Sequence, residues 1–476
     1  MSDSSCPTLR FSSESREFER LRTRYFNGRV PPTTPAIICC PKSTAEVVAE
    51  ILVANNRGTK AGVRSGGHLF PCTSLVQDGL LIDTCELNRT IEYNPKTRVV
   101  SFGPAVTVKE LAHYLTGISR FFPFGHSPSV GAAGFLLAGG QGWFLRGWGC
   151  TSDTWITQLE IVTASGKTII ANKEQNSDIF WAAPGSGQGF FAVVTRIWAR
   201  TIPAKSIFDT TIVLDTTGIF KPLLKYILRK CDELPKYGVD VAISTCYADR
   251  DAKGTHDDSN DNRVLINVNC TAYADSAEEA NVLLKPLDSI SESYKNCMLV
   301  RVPTEKRTWA DLWKIQDDFA PSGGGERWQC DSILNDPQVP LDQLVDAITP
   351  ALQDLPSRLT VGFICVADYY PDERDQALSL PQKYYISTMS CWRDPRRDQV
   401  MRKWMLDTYS RAGEVSCGQY AADFDATQRM SKIMTDSALT RWLEVREKWD
   451  PEEMFVGHRG FSDILRKECI MPKHKL

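Results

Sequence analysis

A glycine-rich and almost uncharged stretch restricts what this chain can fold into. Between Gly125 and Gly149 the sequence holds eight glycines and one charged residue, Arg146. Glycine weakens both helices and strands, so we do not expect one regular element through the whole stretch. A solvated loop would carry more charge. We interpret the stretch as backbone that lies against a flat or phosphorylated ligand, and the alternative is a glycine-lined contact between elements.

A second glycine feature presents a histidine at the end of a strand. The predicted strand at residues 60–63 leads into the turn Arg64-Ser65-Gly66-Gly67-His68. Paired glycines allow a tight turn and close approaches that a Cβ would prevent. Taken alone, this pattern is equally compatible with an ordinary turn that carries a surface histidine.

Composition excludes several classes of partner. The chain has 476 residues, a net charge of −3 and 42% hydrophobic residues, so we expect neither nucleic acid nor a membrane as partner. No apolar run reaches the roughly 18 residues of a spanning helix, and the N-terminus lacks a secretory pattern. We therefore expect an intracellular, cytoplasmic protein. The last residues, 472–476, only partly resemble a peroxisomal tail.

The cysteines and histidines indicate reduced thiols and no metal site. There are 15 cysteines, an odd number, and none forms a Cys-x-x-Cys pair. This usage is typical of an intracellular protein rather than a disulfide framework or a zinc site. The six histidines also lack the spacing of metal ligands.

The hydrophobic pattern changes character near residues 205 and 415. Residues 35–120 alternate strand and helix, and residues 159–171 form a hairpin around Ser165-Gly166. After residue 205, longer strands alternate with amphipathic helices, which predicts an antiparallel sheet. Acidic residues 251–263 predict an exposed loop. The predicted strands are 36–40, 80–83, 99–104, 190–199, 207–214, 240–247, 264–272, 327–334, 359–367 and 384–391; the predicted helices are 44–56, 108–115, 220–234, 277–287, 309–317, 341–348, 398–412 and 437–449.

Three common motifs are present only in part, because each lacks a residue or an element that it requires. Gly125-His126-Ser127 begins like a hydrolase nucleophile elbow, but Ser129 stands where that motif needs glycine. Gly140-x-Gly142 lacks the third glycine of a Rossmann turn, because position 145 is leucine. Gly185-x-Gly187-x-Gly189 has no following helix with a ribose-binding carboxylate, and there is no P-loop.

Taken in order, the motifs resemble those of one flavoprotein family over residues 30–460. The family is the berberine bridge enzyme-like branch of the vanillyl-alcohol-oxidase superfamily. Each motif is weak alone, but the ordered set is specific. It comprises Arg64-Ser65-Gly66-Gly67-His68, Gly125-x-Ser127-Pro128-Ser129-Val130-Gly131, Gly139-Gly140-x-Gly142, Arg146-x-x-Gly149, Asp178-x-Phe180-Trp181, Gly185-x-Gly187-x-Gly189, Trp392-x-Asp394-Pro395 and Asp450-Pro451.

The resemblance implies an α+β fold with a PCMH-type FAD-binding domain and an antiparallel-sheet substrate domain. Residues 1–205 would bind FAD, residues 206–415 would bind substrate, and residues 416–476 would return to the FAD-binding domain. His68 would form a covalent bond to the flavin, and Arg64 or a nearby N–H would stabilise the flavin anion. The implied cofactor-binding residues are Arg64, Ser65, Gly66, Gly67, His68, Leu69, Ser127, Val130, Gly131, Gly134, Gly139, Gly140, Gly142, Gly189, Val193 and Val194.

This chain departs from the family pattern in three places. Many relatives carry a second tethering cysteine where this chain has Ser127, so we expect a single covalent link, through His68. A Gly-Gly-His motif of the family is here Ala133-Gly134-Phe135. The tail motif Tyr-x-Asn has become Tyr420-x-Ala422, with Asp425 retained, which weakens any transfer of catalytic roles.

The resemblance also implies an oxidase. A small organic substrate, which could be aromatic or polycyclic, would pass a hydride to the flavin, and molecular oxygen would take the electrons and give hydrogen peroxide. Val130 would leave oxygen a path. Residues that could accept the substrate proton are Tyr420, Tyr369, Tyr370, Asp423 and Asp425, a tyrosine needing a pKa lowered by a cation such as Arg327. Trp143, Trp328 and Tyr369 could form an aromatic wall, and core packing is the alternative for each.

Other functions remain open from the sequence. The same site suits an oxidative cyclase or a non-redox pericyclase of secondary metabolism, or a dehydrogenase with another electron acceptor. A binding protein with a decayed flavin site is a further alternative, although the intact His68 turn argues against it. We expect a monomer or a homodimer.

Overall fold

The computed structural model describes residues 8–250 and 261–468. Most of the predicted loop at 251–263 and the tail at 472–476 lie outside these residues. The helices are α1 Phe18–Arg22, α2 Thr44–Asn56, α3 Val108–Gly117, α4 Ala132–Leu137, α5 Leu145–Trp148, α6 Thr151–Thr154, α7 Ser177–Ala182, α8 Phe220–Asp232, α9 Ala277–Leu284, α10 Asp288–Ser293, α11 Trp309–Phe319, α12 Leu341–Gln353, α13 Asp398–Ala412, α14 Asp436–Trp449 and α15 Phe461–Glu468.

The strands lie in two small sheets, one two-stranded pair and one large sheet. They are β1 Leu9–Phe11, β2 Ile37–Cys40, β3 Ala61–Arg64, β4 Leu80–Asp83, β5 Glu92–Asn94, β6 Val99–Phe102, β7 Arg120–Phe121, β8 Ile156–Thr163, β9 Thr168–Ala171, β10 Ala192–Arg200, β11 Ile202–Pro203, β12 Ser206–Asp215, β13 Val239–Tyr247, β14 Val264–Ala274, β15 Met298–Arg307, β16 Arg327–Asn335, β17 Val361–Tyr369, β18 Gln382–Trp392 and β19 Ser416–Gly418.

The first sheet orients the histidine turn. Its strand order is β1-β2-β4-β3, and β4 pairs in parallel with both β2 and β3. Helix α2 connects β2 to β3, and it begins at Ser43, whose side chain accepts a hydrogen bond from the Glu46 backbone N–H. The turn that ends in His68 follows β3 directly, at the carboxyl end of a parallel strand, where α/β folds commonly bind ligands.

The second sheet is antiparallel, with the order β5-β6-β10-β8-β9. The predicted hairpin is confirmed, because Ile161 pairs with Ile169 across β8 and β9. Between β7 and β8, the glycine-rich stretch from Gly125 to Gly149 forms only the short helices α4 and α5, in agreement with its composition.

The large sheet has eight strands in the order β15-β12-β14-β13-β17-β18-β16-β19, and every pairing within it is antiparallel. One face packs against α8, α9, α12 and α13 through a continuous apolar core. Val239, Val241 and Ile243 of β13 point into that core, so the alternate residues of the strand face the other way, toward the N-terminal half. The predicted α+β fold with an antiparallel sheet is confirmed.

The chain after residue 415 packs against the N-terminal half. The Trp442 indole N–H of α14 donates to Ser186 Oγ at 2.7 Å, and Phe455 forms a parallel bridge with Ala61. Phe424, Leu439, Trp442 and Phe461 lie in the same apolar core as the first two sheets. The division into residues 1–205, 206–415 and 416–476 stays a prediction, and β19, Ser416–Gly418, still pairs with β16 of the large sheet.

Two expectations from the sequence concern membrane-spanning helices and the redox state of the cysteines. Within 8–250 and 261–468, no helix is both long enough and apolar enough to cross a membrane. The cysteines described in these ranges are free thiols, most of them buried.

Candidate functional site

A cavity of about 510 Å³ separates the N-terminal loops from the open face of the eight-stranded sheet. Such a volume suits a small organic ligand. The loop side is formed by residues 61–70, by residues around 125–143 and by Gly187, Gln188 and Gly457. The sheet side consists of Asp209, Asp240, Ala242, Ser244, Asn269, Thr271, Cys330, Val361, Phe363, Tyr385, Ser387 and Met389.

The two glycine motifs meet at one end of this cavity. A Cβ on Gly66 would lie 2.6 Å from the Gly131 nitrogen, and a Cβ on Gly131 would lie 2.8 Å from the Gly66 nitrogen. Both distances are shorter than non-bonded atoms allow, so each position requires glycine. Gly67 adopts a φ of +74°, which also favours glycine. This contact brings Ser127 and Val130 beside the histidine turn, and both line the cavity together with Ser65 and Leu69.

His68 lines the cavity as a neutral imidazole. Its ring stacks on Phe26 with ring centres 4.6 Å apart. Burial lowers the pKa of His68 to about 4, and a hydrogen bond to the Ser129 backbone opposes this shift only in part. A neutral imidazole that donates a hydrogen bond to a carbonyl through one ring nitrogen keeps a lone pair on the other nitrogen. His68 therefore has the electronic form of a nucleophile.

Arg64 does not have the role that we expected for its side chain. Its guanidinium donates to Asp83 Oδ2 at 2.6 Å and to the Leu21 carbonyl at 2.6 Å. Arg24 also binds Asp83, at 2.5 Å, and Asp83 is fully buried. Arg64 is thus part of a structural ion pair that fixes the start of the histidine turn, and because Arg24 shares Asp83, the three groups keep one net positive charge.

One group of potential metal ligands occurs among the described residues, at Cys40, Asp83 and Cys85. Their ligand atoms lie within 4.8 Å of one another. Because Asp83 is bound by two arginines, the group is poorly suited to a cation.

The remaining glycines that we expected to bind the cofactor, in the long stretch and at Gly189, divide into two kinds. Gly134 lines the cavity, and a Cβ there would meet nothing within 4 Å. By contrast, Gly139, Gly140, Gly142 and Gly189 pack against protein, their nearest partners being Leu378, Thr151, the Pro123 carbonyl and Phe461. For these four positions the glycine-lined packing contact is the correct interpretation. On β10, Val194 lines the cavity, whereas Val193 is buried in the core and does not.

Among the expected proton acceptors, only Tyr420 and Asp423 line the cavity. Tyr369 donates its hydroxyl to Asp153 Oδ2 at 3.0 Å, outside the cavity, and Tyr370 is exposed. Asp425 accepts hydrogen bonds from the Thr427 N–H and hydroxyl in a surface turn. Tyr369 and Asp425 were therefore wrongly placed by the sequence, because turn chemistry and core packing account for both.

Tyr420 lacks the lowered pKa that a tyrosine base requires. Burial raises its pKa, and its hydroxyl accepts only a long hydrogen bond, 3.4 Å, from the Gln141 N–H. The cation that we expected to assist is absent, since Arg327 binds Asp398 instead. The expected aromatic wall is reduced to Trp143, because Trp328 packs between Phe26 and Phe70 outside the cavity lining.

Asp423 is the better candidate for accepting a proton. Tyr385 donates its hydroxyl to Asp423 Oδ2 at 2.8 Å, and both residues line the cavity. Burial raises the pKa of Asp423 to about 6. The carboxylate is therefore ionised at neutral pH and is a stronger base than an ordinary aspartate.

Sequence reasoning missed an acidic end of the cavity. Asp209 on β12 and Asp240 on β13 are 3% and 4% exposed, and each lies next to Thr271 of β14 in the sheet. Asp240 accepts a hydrogen bond from the Phe144 N–H at 2.8 Å and lies 3.3 Å from His126 Nε2. An aspartate at the inward position of a strand that is otherwise apolar is the signal that could have revealed these residues.

Comparisons with known proteins agree with this geometry. A family model described as an FAD binding domain matches residues 35–172. The FAD-linked oxidoreductase janO of Penicillium janthinellum is 29% identical over 93% of this chain and 94% of its own length. The FAD-linked oxidoreductase nodO of Hypoxylon pulicicidum is 26% identical over 94% and 96%. The chain thus contains an FAD binding domain and is similar over most of its length to FAD-linked oxidoreductases.

Solved structures share the fold of this FAD-linked oxidoreductase. Physcomitrella patens BBE-like 1 superposes with a TM-score of 0.79 at 19% identity, covering 94% of this chain and 95% of that chain. The 6-hydroxy-D-nicotine oxidase of Arthrobacter nicotinovorans gives a TM-score of 0.78 at 16% identity, covering 94% and 96%.

The cavity of this oxidoreductase fits a flavin. Gly134 leaves open space where a side chain would project, next to a neutral imidazole and the Gly66–Gly131 contact. The lining continues from this end to Gly187, Gln188 and Gly457, so an extended dinucleotide has backbone on one side along its length.

Proposed function

We propose that this protein is an FAD-dependent oxidase acting on a small organic substrate. The supporting observation is one continuous cavity that joins the His68 turn to the sheet face and to the ionised carboxylate of Asp423 in the C-terminal segment. When bound, FAD supplies the hydride acceptor and passes the electrons to molecular oxygen, which forms hydrogen peroxide. The protein residues hold the substrate against the cofactor, exclude water and take up its proton.

His68 is proposed as the single covalent attachment point for FAD. Its neutral ring and its position in the cavity lining support nucleophilic attachment. The position of a second possible attachment point is occupied by Ser127, which lines the cavity beside the turn. A serine hydroxyl is a far weaker nucleophile than a cysteine thiolate. The residues proposed to contact the cofactor are therefore Ser65, Gly66, Gly67, His68, Leu69, Ser127, Val130, Gly131, Gly134 and Val194.

Asp423 is proposed as the group that accepts the substrate proton, with Tyr385 as its positioning partner. The Tyr385 hydroxyl donates to Oδ2, and Ser332 and Cys330 also hydrogen-bond to the carboxylate, so Asp423 is held in place at the cavity lining. Because the pKa of Asp423 is about 6, activity should fall as the pH decreases through 6. Replacing Asp423 by asparagine should lower the rate of flavin reduction at least about 100-fold and remove this limb of the pH profile.

Val130 is proposed to admit oxygen. It lines the cavity beside the histidine turn, and a larger side chain there would fill space near the reacting end. Val130→Leu should slow reoxidation by oxygen about tenfold or more while flavin reduction changes little. Stopped-flow absorbance measures both half-reactions separately, and equal slowing of the two would contradict this role.

A turnover screen tests the proposed reaction. Purified yellow enzyme is mixed with aromatic alcohols and amines, first without oxygen to follow flavin bleaching and then in air to follow peroxide. Bleaching with peroxide in amounts equal to product supports an oxidase. Bleaching without rapid peroxide indicates a dehydrogenase, a ring-closed product indicates a cyclase, and product without bleaching indicates a pericyclase. A colourless protein that binds no FAD would contradict the proposal.

A further inference from the structure

One end of the cavity is lined by two carboxylates, of which Asp240 is held by the Phe144 N–H and His126, whereas Asp209 has no cation paired with it among the described residues. Among the described lining residues, Asp209, Asp240 and Asp423 are acidic, and the permanently charged cation is Arg64, which is committed to Asp83. Arg307 is near enough to oppose the rise in the Asp209 pKa, but it pairs with Glu305 at 3.1 Å. An ionised group that is buried without a partner is costly, so this end is suited to a positively charged ligand.

Asp209 and Asp240 face the cavity from the same row of the sheet. Thr271 pairs with Asp209 on one side and with Asp240 on the other, so the three side chains project from one face. Thr271 donates to Asp209 Oδ1 at 3.0 Å, and no hydrogen bond to Oδ2 occurs among the described residues. Burial raises the pKa of Asp209 to about 6, which leaves it ionised at pH 8.

Unpartnered polar atoms of the cavity lining independently indicate a ligand. Trp143 Nε1 and Ser244 Oγ have no hydrogen-bond partner within the described ranges, although these residues are only 7% and 6% exposed. Both residues line the cavity: Trp143 packs on His126, which contacts Asp240, whereas Ser244 lies on the same face of β13 about 13 Å along the strand from Asp240. Buried donors and acceptors of this kind are normally satisfied in the native, ligand-bound state.

The remaining walls near this end are apolar. Helix α11 contributes Leu312, Ile315 and Phe319, and β17 contributes Val361 and Phe363. We propose that Asp209 and Asp240 form an ammonium-binding subsite, and that the substrate is a protonated amine carried on an apolar framework. The inference rests on the proposed function in taking the occupant to be the substrate of that cavity.

The sheet geometry separates this subsite from the proposed proton acceptor. Ala242 of β13 pairs with Cys365 of β17, and Cys365 pairs with Tyr385 of β18. Tyr385 is therefore two strands away from Ala242, and Asp240 lies two residues before Ala242 on β13. Strand spacing and rise give about 12 Å between the Cα atoms of Asp240 and Tyr385. We take the ammonium as a recognition group, with the oxidised carbon elsewhere on the substrate.

Binding of three matched probes tests the subsite without requiring turnover. The probes are 2-(1-naphthyl)ethylamine, 2-(1-naphthyl)ethanol and 1-naphthaleneacetate, which share an aromatic framework and differ in charge. Calorimetric titration of the holoenzyme at pH 8 should give the amine a dissociation constant at least tenfold below that of the alcohol, with the acetate weakest. Equal affinities, or tightest binding of the acetate, would overturn the proposal.

A substitution at Asp209 tests whether this carboxylate binds the ammonium group. Asp209→Asn should weaken amine binding at least tenfold and leave alcohol binding within about twofold. The control Asp275→Asn removes an exposed carboxylate directly after β14 that pairs with Lys205, and it should change neither affinity. Unchanged amine binding in Asp209→Asn would contradict the assignment. If Asp209→Asn does not fold, the wild-type probe series decides alone. Selective binding of the amine probe, together with no peroxide in the turnover screen, would contradict the proposed oxidase function but not the proposed ammonium subsite.

Discussion

The mutual contact of Gly66 and Gly131 is the residue-level feature on which the site depends. Neither glycine tolerates a Cβ, because each would press on the other's backbone nitrogen. The sequence predicted both motifs but not their contact, since 65 positions separate them and no local pattern records which loops meet. The same reasoning explains why four other glycines were assigned to the cofactor although they pack against protein.

Gly66→Ala should impair flavin retention. The added Cβ would lie 2.6 Å from the Gly131 nitrogen, so the histidine turn must move away from residues 127–131. We expect less than about a tenth of the wild-type flavin content, measured by the ratio of flavin to protein absorbance. Gly117→Ala is the matched control, because nothing lies within 4 Å of its Cβ position at the end of α3. A fully flavinylated Gly66→Ala protein would contradict the role of this contact.

Asp83→Asn should destabilise the protein strongly. Burial alone would raise the pKa of Asp83, but Arg64 and Arg24 outweigh it, so the pKa in the folded state is lowered. Its stabilising contribution is therefore present above the pKa of the unfolded chain and is lost as the pH falls through the lower folded value. Removing this charge should cost about 3 kcal/mol in the free energy of unfolding, measured with urea.

The control for that substitution is Asp407→Asn. Asp407 pairs with Lys403 on the surface, where both side chains are more than half exposed, so its removal should cost below about 1 kcal/mol. Equal effects of the two substitutions would show that the buried ion pair does not anchor the turn.

At the scale of helices and strands, the alternating and amphipathic patterns were reliable where one face is buried. Strands β12, β13 and β14 and helices α8, α12 and α14 occur close to their predicted bounds. Strand β15, Met298–Arg307, was missed because it lies at the sheet edge and most of its residues are exposed or half-buried, which removes the apolar alternation. Asp209 and Asp240 were missed because they are adjacent only through β14, which follows both in sequence.

The end of helix α14 supplies a prediction at this scale. The buried Asp450 carboxylate accepts hydrogen bonds from the Met454 and Phe455 N–H groups at 2.8 and 2.9 Å. This turn presents Phe455 to its bridge with Ala61, next to the cavity. Asp450→Ala should lower the free energy of unfolding by about 2–4 kcal/mol, because two buried N–H groups lose their acceptor. Glu452→Ala, at an exposed neighbouring position, should have little effect, and equal loss in both would contradict the argument.

For the whole molecule, function depends on contacts that cross between distant parts of the chain. The cavity has loops of the N-terminal half on one side, the eight-stranded sheet on the other, and Tyr420, Asp423 and Gly457 of the C-terminal segment at its edge. The resemblance to flavoproteins predicted this architecture. It did not predict which side chains face the cavity, because that depends on strand register and on which loops pack together.

Covalent attachment through His68 alone is the central claim, and peptide mass spectrometry tests it most directly. The acid-precipitated holoenzyme is digested with trypsin, which releases residues 65–89 with His68 and residues 121–146 with Ser127. We predict an FAD adduct on residues 65–89 and none on residues 121–146. His68→Ala should lose the adduct, and Ser127→Ala should keep it. An unmodified 65–89 peptide, with all of the yellow flavin in the acid supernatant, would contradict the account.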